Sequence, residues 1–231
     1  MTTHRRRSHF TARSLSALGL AGVLALAPSA GAASDVSDVS HDGLHLEPSE
    51  DVAIVFVRPG TDFSVYKKIL LIDAFVAFQA NWQLRQGSSI RRVTPRDMEN
   101  IKTAMADLLR EVFTEKITAE GGYPMVEAPG EDVLLLRPAI VDLEVTSPDV
   151  PSAQRSYSFS TSAGAATLYL ELFDSVSGQI LARVLDRQAA RDIGGSMRWQ
   201  NGLTNRNAAR QMLGDWAVLL RQWLDTVHSG E

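Results

Sequence analysis

Residues 165–187, AATLYLELFDSVSGQILARVLDR, predict a β-hairpin. Two apolar runs, Ala165 to Phe173 and Gln179 to Arg187, flank a link with the sequence Asp-Ser-Val-Ser-Gly. Short links rich in Asp, Ser and Gly favour the tight turns that join antiparallel strands. Because strands of this kind have an apolar side to bury, the hairpin implies a sheet with covering elements elsewhere in the chain.

Three further segments have the apolar density of strands. Val52 to Val57 is an apolar run closed by Pro59-Gly60, and Tyr66 to Phe78 is rich in Ile, Leu, Val and Phe. The third segment is Val133 to Val145, which alternates between apolar and polar residues at its end.

Two amphipathic helices are predicted. Thr94 can cap the first, Pro95 suits its first turn, and Asp97 places negative charge at the positive end of the helix dipole. Gly121-Gly122 ends this helix, and the second helix is predicted at about Asn205 to Val227. The apolar face of the first helix, at three- and four-residue spacing, comprises Met98, Ile101, Met105, Leu108, Leu109, Val112 and Phe113.

The elements follow each other as strand, strand, helix, strand, strand, strand, helix. This order predicts an α+β fold, with a mixed or antiparallel sheet of about five strands and two amphipathic helices packed on one face. An α/β description applies instead if the early strands run parallel.

The first residues have the pattern of a secretory signal peptide. Arginines at 5, 6, 7 and 13 precede an apolar run from Leu15 to Ala27, and small residues follow. The run is shorter than the roughly 20 residues that span a bilayer as a helix, so a retained anchor is the alternative. We expect a signal peptide over residues 1–32, cleaved near Ala32 or Ala33, no transmembrane span afterwards, and a periplasmic location. The export route, general or twin-arginine, stays open.

Residues 33–50 are acidic and rich in Ser, which predicts a flexible arm before a single domain over 51–231. Removing the four leader arginines leaves 19 Lys and Arg against 27 Asp and Glu, a net charge of −8. A chain with this negative charge is a poor binder of nucleic acid, because nucleic acid is itself negatively charged. The chain has no Cys, which excludes disulfides, thiolate metal sites and a lipidated cysteine.

Three segments together carry a family resemblance: 66–71 (YKKILL), 137–143 (RPAIVDL) with Pro148-Asp149, and 174–183 (DSVSGQILAR) with Asp186-Arg187. In these segments the chain resembles the bacterial envelope family called domain of unknown function 3313, over about Val52 to Leu224. The resemblance implies an exported envelope protein, and it brings no known activity or catalytic residues. Many relatives begin with a lipidated cysteine, which this chain lacks, so membrane anchoring is not carried over.

Carboxylates are the strongest candidates for catalysis. Asp142 and Glu144 share one face of their strand, and Glu171 lies on a neighbouring strand of the predicted sheet. The residues expected on the opposite, buried side are Val141, Leu143 and Val145. We expect the carboxylates to form the solvated side of the sheet. The alternative function is a periplasmic hydrolase or metal-dependent enzyme that uses them.

No histidine falls in the predicted core, so we assign no catalytic residue, no metal site and no cofactor. His41 and His45, in the acidic arm, are interpreted as part of a solvated linker.

Two loops place Arg beside Trp in this acidic chain. Guanidinium groups bind carboxylate or phosphate, and exposed Trp provides rigid contact area. The predicted contact residues are Trp82, Arg85, Arg91, Arg92, Arg198 and Trp199. The alternative is that each Trp packs at the edge of the core and each Arg pairs with a local acid.

We therefore expect a non-enzymatic periplasmic component that binds or assembles at the cell envelope. Its partner would be an envelope protein, peptidoglycan or lipid phosphate. A third interpretation is a structural subunit whose C-terminal Trp-containing face packs on its own copy as a homo-oligomer.

Overall fold

The computed structural model describes residues 37–85, 93–145, 158–160, 162–191, 198–200 and 202–229. From Ser37 onward these residues belong to one compact unit. The predicted signal peptide and the predicted contact residues Arg91 and Arg92 lie outside the described ranges.

Nine strands and three α-helices follow each other along the described chain. The strands are β1 (His45–Glu47), β2 (Ile54–Val57), β3 (Lys68–Leu71), β4 (Phe75–Phe78), β5 (Val133–Val145), β6 (Ser158–Ser160), β7 (Ser162–Asp174), β8 (Ile180–Arg191) and β9 (Arg198–Gln200). The helices are α1 (Trp82–Arg85), α2 (Pro95–Thr118) and α3 (Gly202–Ser229).

Seven strands form one mixed sheet in the order β1-β2-β8-β7-β5-β3, and β4 also pairs with β5. Both β3 and β4 run parallel to β5, and the other pairs are antiparallel. The sheet is mixed, most of its strand pairs are antiparallel, and both long helices pack into one core with it, so the predicted α+β class is confirmed. There are more strands than expected because the run from Tyr66 to Phe78 divides into β3 and β4, and because β1 lies in the segment predicted as an arm.

The predicted hairpin is formed by β7 and β8. Its turn is held by Asp174, whose carbonyl accepts from Gly178 N (2.9 Å) and whose side chain accepts from Ser177 N (2.7 Å). Gly178 adopts a φ of 67°, a conformation that glycine reaches without steric cost. These contacts are local, which is why the pattern of the turn could be recognised in the sequence.

Helix α2 has the predicted N-terminus. The Thr94 side chain accepts from Asp97 N, and the Asp97 side chain accepts from Thr94 N, which completes a capping box. Helices α2 and α3 lie side by side and run in the same direction, since Arg210 pairs with Glu111 while Arg221 reaches the C-terminal end of α2. Of the helices in the described ranges, none has an apolar stretch long enough to cross a membrane.

One core cluster contains the apolar faces of both long helices and the inner face of the sheet. The largest fully buried side chains in it are Phe113, Ile69, Leu109, Ile117, Leu134, Leu136, Ile140, Leu143, Leu170, Leu172 and Leu213. This inner face is the side of the sheet on which the two helices were expected to pack.

A β-bulge in β5 changes which residues point inward. The register of β5 against β7 shifts between Val141 and Glu144, and Asp142 adopts a φ of 49°. Ile140 is 0% exposed and Leu143 is 2% exposed, so the buried residues before and after the bulge are three apart. Placing Val141 on the buried side was therefore wrong, because the bulge adds a residue that breaks the alternation.

The structure also differs from the flexible arm predicted over residues 33–50, within its described part from Ser37. Strand β1 pairs with β2 in this segment, and Leu44 is 0% exposed. Leu44 packs with Phe56 and Ile180 in a small second cluster on the outer face of the sheet, the face opposite the helices. The composition is polar, but a buried leucine and backbone pairing with β2 contribute to ordering the segment.

Candidate functional site

A charged cluster lies on the outer face of the sheet, and we call Arg137, Glu171, Arg183 and Asp42 the outer cluster. Arg137, Glu171 and Arg183 are register partners on the neighbouring strands β5, β7 and β8. Side chains that are direct cross-strand partners share a face, so the strand order itself brings the three charges into one row.

Glu171 is the centre of the outer cluster and is only 4% exposed. Its Oε2 accepts from Arg137 Nε (2.8 Å), and its Oε1 accepts from Arg183 Nη2 (3.0 Å) and from the Tyr169 hydroxyl (2.9 Å). Burial acts to raise the pKa of Glu171, but the hydrogen bonds from Arg137, Tyr169 and Arg183 outweigh it and keep the pKa below its ordinary value. The two arginines also lie over aromatic rings, Arg137 over Phe173 and Arg183 over Tyr169.

Asp42 joins the outer cluster from the N-terminal segment of residues 39–47, which we call the strap. Arg183 binds both carboxylate oxygens of Asp42, at 3.3 Å and 2.5 Å. The hydrogen bonds from Arg183, and then from Ser40, hold the pKa of Asp42 well below its usual range. Arg58 adds a hydrogen bond from Nη2 to the Asp42 carbonyl oxygen (3.0 Å).

The outer cluster contains two guanidinium groups and two carboxylates, so its charges neutralise one another. Charge-assisted hydrogen bonds between these groups can hold two segments of the chain together. In this protein it fixes the strap to the sheet. Glu171 is thus a structural anchor between two arginines.

The three carboxylates weighed as catalytic candidates do not converge. Val141 lies opposite Thr167, four residues before Glu171 along β7, so Asp142 and Glu144 are displaced from Glu171 by about 13 Å or more. Glu144 lies 3.5 Å from Arg187 instead. Across the described ranges, no three His, Asp or Glu side chains are grouped so that they could hold a metal ion.

Of the predicted Arg and Trp contact residues, the structure describes the side chain of Trp82 and the backbone positions of Arg85, Arg198 and Trp199. Trp82 is 3% exposed, and its ring stacks on Phe78 with the centroids 4.3 Å apart, so it is covered rather than free for contact. Arg85 ends the short helix α1. Arg198 and Trp199 lie in β9, where they are the register partners of Ser160 and Phe159 in the two-stranded sheet of β6 and β9.

A groove lies beside β4, and the residue pattern did not predict it. This strand pairs with β5 on one side, and its other side has no partner strand in the part of the chain that the structure describes. Phe75, at the start of β4, is 65% exposed, while Val76 beside it is 6% exposed. A groove of about 480 Å³ runs between β4 and the first turns of α2, and its lining includes Phe75, Phe78, Trp82, Met98 and Lys102.

The free edge at β4 could not be read from the pattern of residues 66–78. From Ile69 onward the run is apolar except for Asp73, and this composition is also typical of a strand paired on both sides. Only the strand order shows that β3 and β4 both lie along β5 and therefore occupy the border of the sheet.

These features define an α+β protein with one mixed sheet, two helices on its inner face and a strap clamped to its outer face. The family model described as "Protein of unknown function (DUF3313)" matches residues 33–220. The chain therefore belongs to the DUF3313 family, as the resemblance in its three segments indicated. No protein with a curated description matches the chain.

Several solved structures are similar to this chain at low identity. A PelC dodecamer from Paraburkholderia phytofirmans is 11% identical, with a TM-score of 0.39 over 73% of this chain and 99% of that one. A DUF330 protein from Xanthomonas campestris is 16% identical, with a TM-score of 0.41 over 75% and 91%. A homologue of a neuraminyllactose-binding hemagglutinin from Helicobacter pylori is 12% identical, with a TM-score of 0.36 over 71% and 92%.

Proposed function

We propose that this protein is an exported, periplasmic assembly component of the cell envelope, which acts by binding another polypeptide at the free edge of β4. The export part of the proposal is supported by the basic, apolar and small-residue segments of the leader. The binding part is supported chiefly by one observation, the difference between the two borders of the sheet.

The border at β1 has the features that keep other strands away. This strand is only three residues long, its His45 and Glu47 are both exposed, and Pro48 follows it directly. Short length, charged side chains and proline are the devices by which proteins prevent unwanted edge-to-edge pairing.

The border at β4 is also short, at four residues, but it lacks the other two features. Residues 75–78 read FVAF, without charge or proline, and the first of them is the most exposed large apolar residue in the described ranges. An apolar edge of this kind is a template for an added strand, in which main-chain hydrogen bonds provide affinity and side-chain pockets provide specificity. The groove along β4 supplies such a pocket.

Arg198 and Trp199 remain our proposed contact with anionic envelope material. They lie in the second, two-stranded sheet, whereas β4 belongs to the seven-stranded sheet. Binding through them would weaken as salt is raised, whereas binding at the uncharged β4 edge would not.

Co-sedimentation of the purified mature chain with peptidoglycan, lipid vesicles and the protein-containing envelope fraction, at low and high salt, tests the function. We expect binding to the protein-containing fraction that survives high salt and that Phe75→Lys abolishes. Val176→Lys is the matched control, because Val176 is also an exposed apolar residue (64%) but lies in the β7–β8 turn. Absence of binding to every fraction, or equal loss in both variants, would contradict the proposal.

The double variant Arg198→Ala with Trp199→Ala, carried through the same experiment, isolates the anionic contact. We expect it to remove only the salt-sensitive part of the binding. If salt-sensitive binding to peptidoglycan or lipid is unchanged, these two residues are not the contact.

A further inference from the structure

The polypeptide that fits the β4 edge best is a second copy of this chain. Resting on the proposed function, we infer that two copies pair β4 against β4, antiparallel, across a two-fold axis perpendicular to the sheet, and that Phe75→Lys lowers envelope binding by separating this pair. The two seven-stranded sheets would then continue into one another, with each open border covered by the other.

Side-chain sizes along β4 fit this symmetric pairing. Val76 is buried on the core side, whereas Phe75 and Ala77 alternate with it and point to the outer face. In an antiparallel pair centred on Val76, Phe75 of one copy lies directly opposite Ala77 of the other. A large ring beside a small residue covers the exposed Phe75 without a clash, and the symmetry repeats this contact.

Charge also selects this edge for contact between like copies. The mature chain carries a net charge of −8, so two copies repel each other except where their touching surfaces are uncharged. Residues 74–83 contain no charged side chain, which makes β4 and the segment after it a neutral stretch. A strongly basic partner would find no acidic row here to bind.

The charges that flank the neutral stretch are already paired within each copy. Asp73, which precedes β4, pairs with Arg110. Lys102, which lines the groove, pairs with Glu99 at 2.8 Å. Each flanking charge is thus balanced within its own copy.

The absence of cysteine from the chain makes the pairing directly measurable. A single Ala77→Cys substitution places a thiol close to its counterpart in the second copy, within reach of a short thiol-specific cross-linker. Val176→Cys, at an exposed position in the β7–β8 turn, is the matched control. We expect cross-linked dimers from Ala77→Cys and none above background from Val176→Cys.

Light scattering coupled to size-exclusion chromatography of the mature chain gives the second measurement. We expect a mass twice that of one chain, and we expect Phe75→Lys to raise the dimer dissociation constant by about tenfold or more, because an ammonium group would be desolvated in the joined sheet. Val176→Lys should leave the dimer unchanged. Circular dichroism verifies that both variants keep the fold.

A mass of one chain at high concentration, or a dimer that Phe75→Lys leaves intact, would overturn the inference. These results are distinct from failure of the proposed function. A monomer whose envelope binding depends on Phe75 overturns only the second-copy assignment. A β4-linked dimer that binds no envelope fraction upholds the pairing and overturns the envelope role.

Discussion

Asp186 lies in β8 on the inner face of the sheet, with 9% of its surface exposed. Its Oδ2 accepts from Trp216 Nε1 in α3 (2.8 Å) and from Gln188 Nε2 (3.2 Å), and its Oδ1 accepts from Ala53 N (3.1 Å). This carboxylate thereby joins α3, β8 and the approach to β2. Both of its oxygens are used as acceptors, so the site needs a side chain that has no donor.

Asp186→Asn is expected to lower the free energy of unfolding by about 1–3 kcal/mol, because its amide NH₂ must face a group that also donates. Urea denaturation followed by Trp fluorescence measures the change and reports on Trp216 at the same time. Asp51→Asn, at an exposed position, is the matched control and should change stability by about 0.5 kcal/mol or less. Equal stability of the two variants would show that the three donors do not depend on the carboxylate.

At the scale of elements, the strap is a short segment that is anchored by residues far away in the chain, since Arg183 lies 141 residues after Asp42. Strand β1 has only three register pairs with β2, and Leu44, directly before β1, is the main buried side chain of the strap. The remaining attachment comes from Asp42 through Arg183, where the side chains are 23% and 12% exposed. A segment with so few backbone pairs depends strongly on this ion pair.

Asp42→Asn is expected to release the strap while the core stays folded. The loss of a charge-assisted hydrogen bond predicts about 2 kcal/mol less local stability. Hydrogen exchange of the Leu44 and Leu46 amides, which bond to Ser40 and Asp38, should accelerate by about tenfold or more. Asp38→Asn, with an exposed side chain, is the control, and unchanged exchange in Asp42→Asn would mean that Leu44 alone holds the strap.

For the whole molecule, carboxylates with lowered pKa values give stability a definite dependence on pH. The pKa values of Asp42, Glu171 and Asp174 all lie below their ordinary values, and hydrogen bonds from Arg or Ser side chains lower them. A carboxylate of this kind stabilises the folded state above its unfolded pKa, and the contribution is lost as pH falls toward the folded pKa. The free energy of unfolding should therefore decrease as the pH falls below the ordinary pKa values, 3.8 for Asp and 4.5 for Glu.

Urea titrations at a series of pH values from about pH 5 to about pH 3 measure this loss. Asp42→Asn should lose less stability over the same interval, since it lacks one of the groups that must be protonated. Stability that stays level or rises as the solution is acidified would contradict the pairing in the outer cluster.

Two buried tyrosines with raised pKa values indicate that the folded state also loses stability at high pH. Burial, together with a hydrogen bond to Asp174, raises the pKa of Tyr66 from 10.0 to about 12, and burial with a hydrogen bond to Asp225 raises that of Tyr123 from 10.0 to about 12. Because the folded state holds these protons more tightly, the stabilisation is present below pH 10 and is lost as pH rises from 10 to about 12. Tyrosinate absorbance recorded during alkaline unfolding measures this, and Tyr123→Phe should reduce the loss.

Sequence reasoning succeeded where the signal is local. The capping box joins Thr94 to Asp97, three residues away, and the turn at Asp174 is closed by Ser177 and Gly178. Such contacts form within one stretch of chain, so residue types at short spacing are enough to identify them.

The candidate site was predicted less well, because its residues meet across the sheet. Asp42 and Arg183 are 141 residues apart in the chain, and Glu171 acquires two arginine neighbours only through strand pairing. Trp82 was expected to be exposed for contact, but its stacking on Phe78 buries it. No spacing within the sequence carries that information.

The types of the main elements, the hairpin, the capped helix and the family follow from residue patterns, because hydrogen bonding and apolar periodicity act over a few neighbouring residues. Whether an apolar strand becomes the centre or the border of the sheet follows from the order of strands in space. That order makes β4 an open edge with Phe75 exposed. It also brings Arg183 into an ion pair with Asp42. These properties belong to the packed molecule, since they arise from contacts between residues distant in the chain.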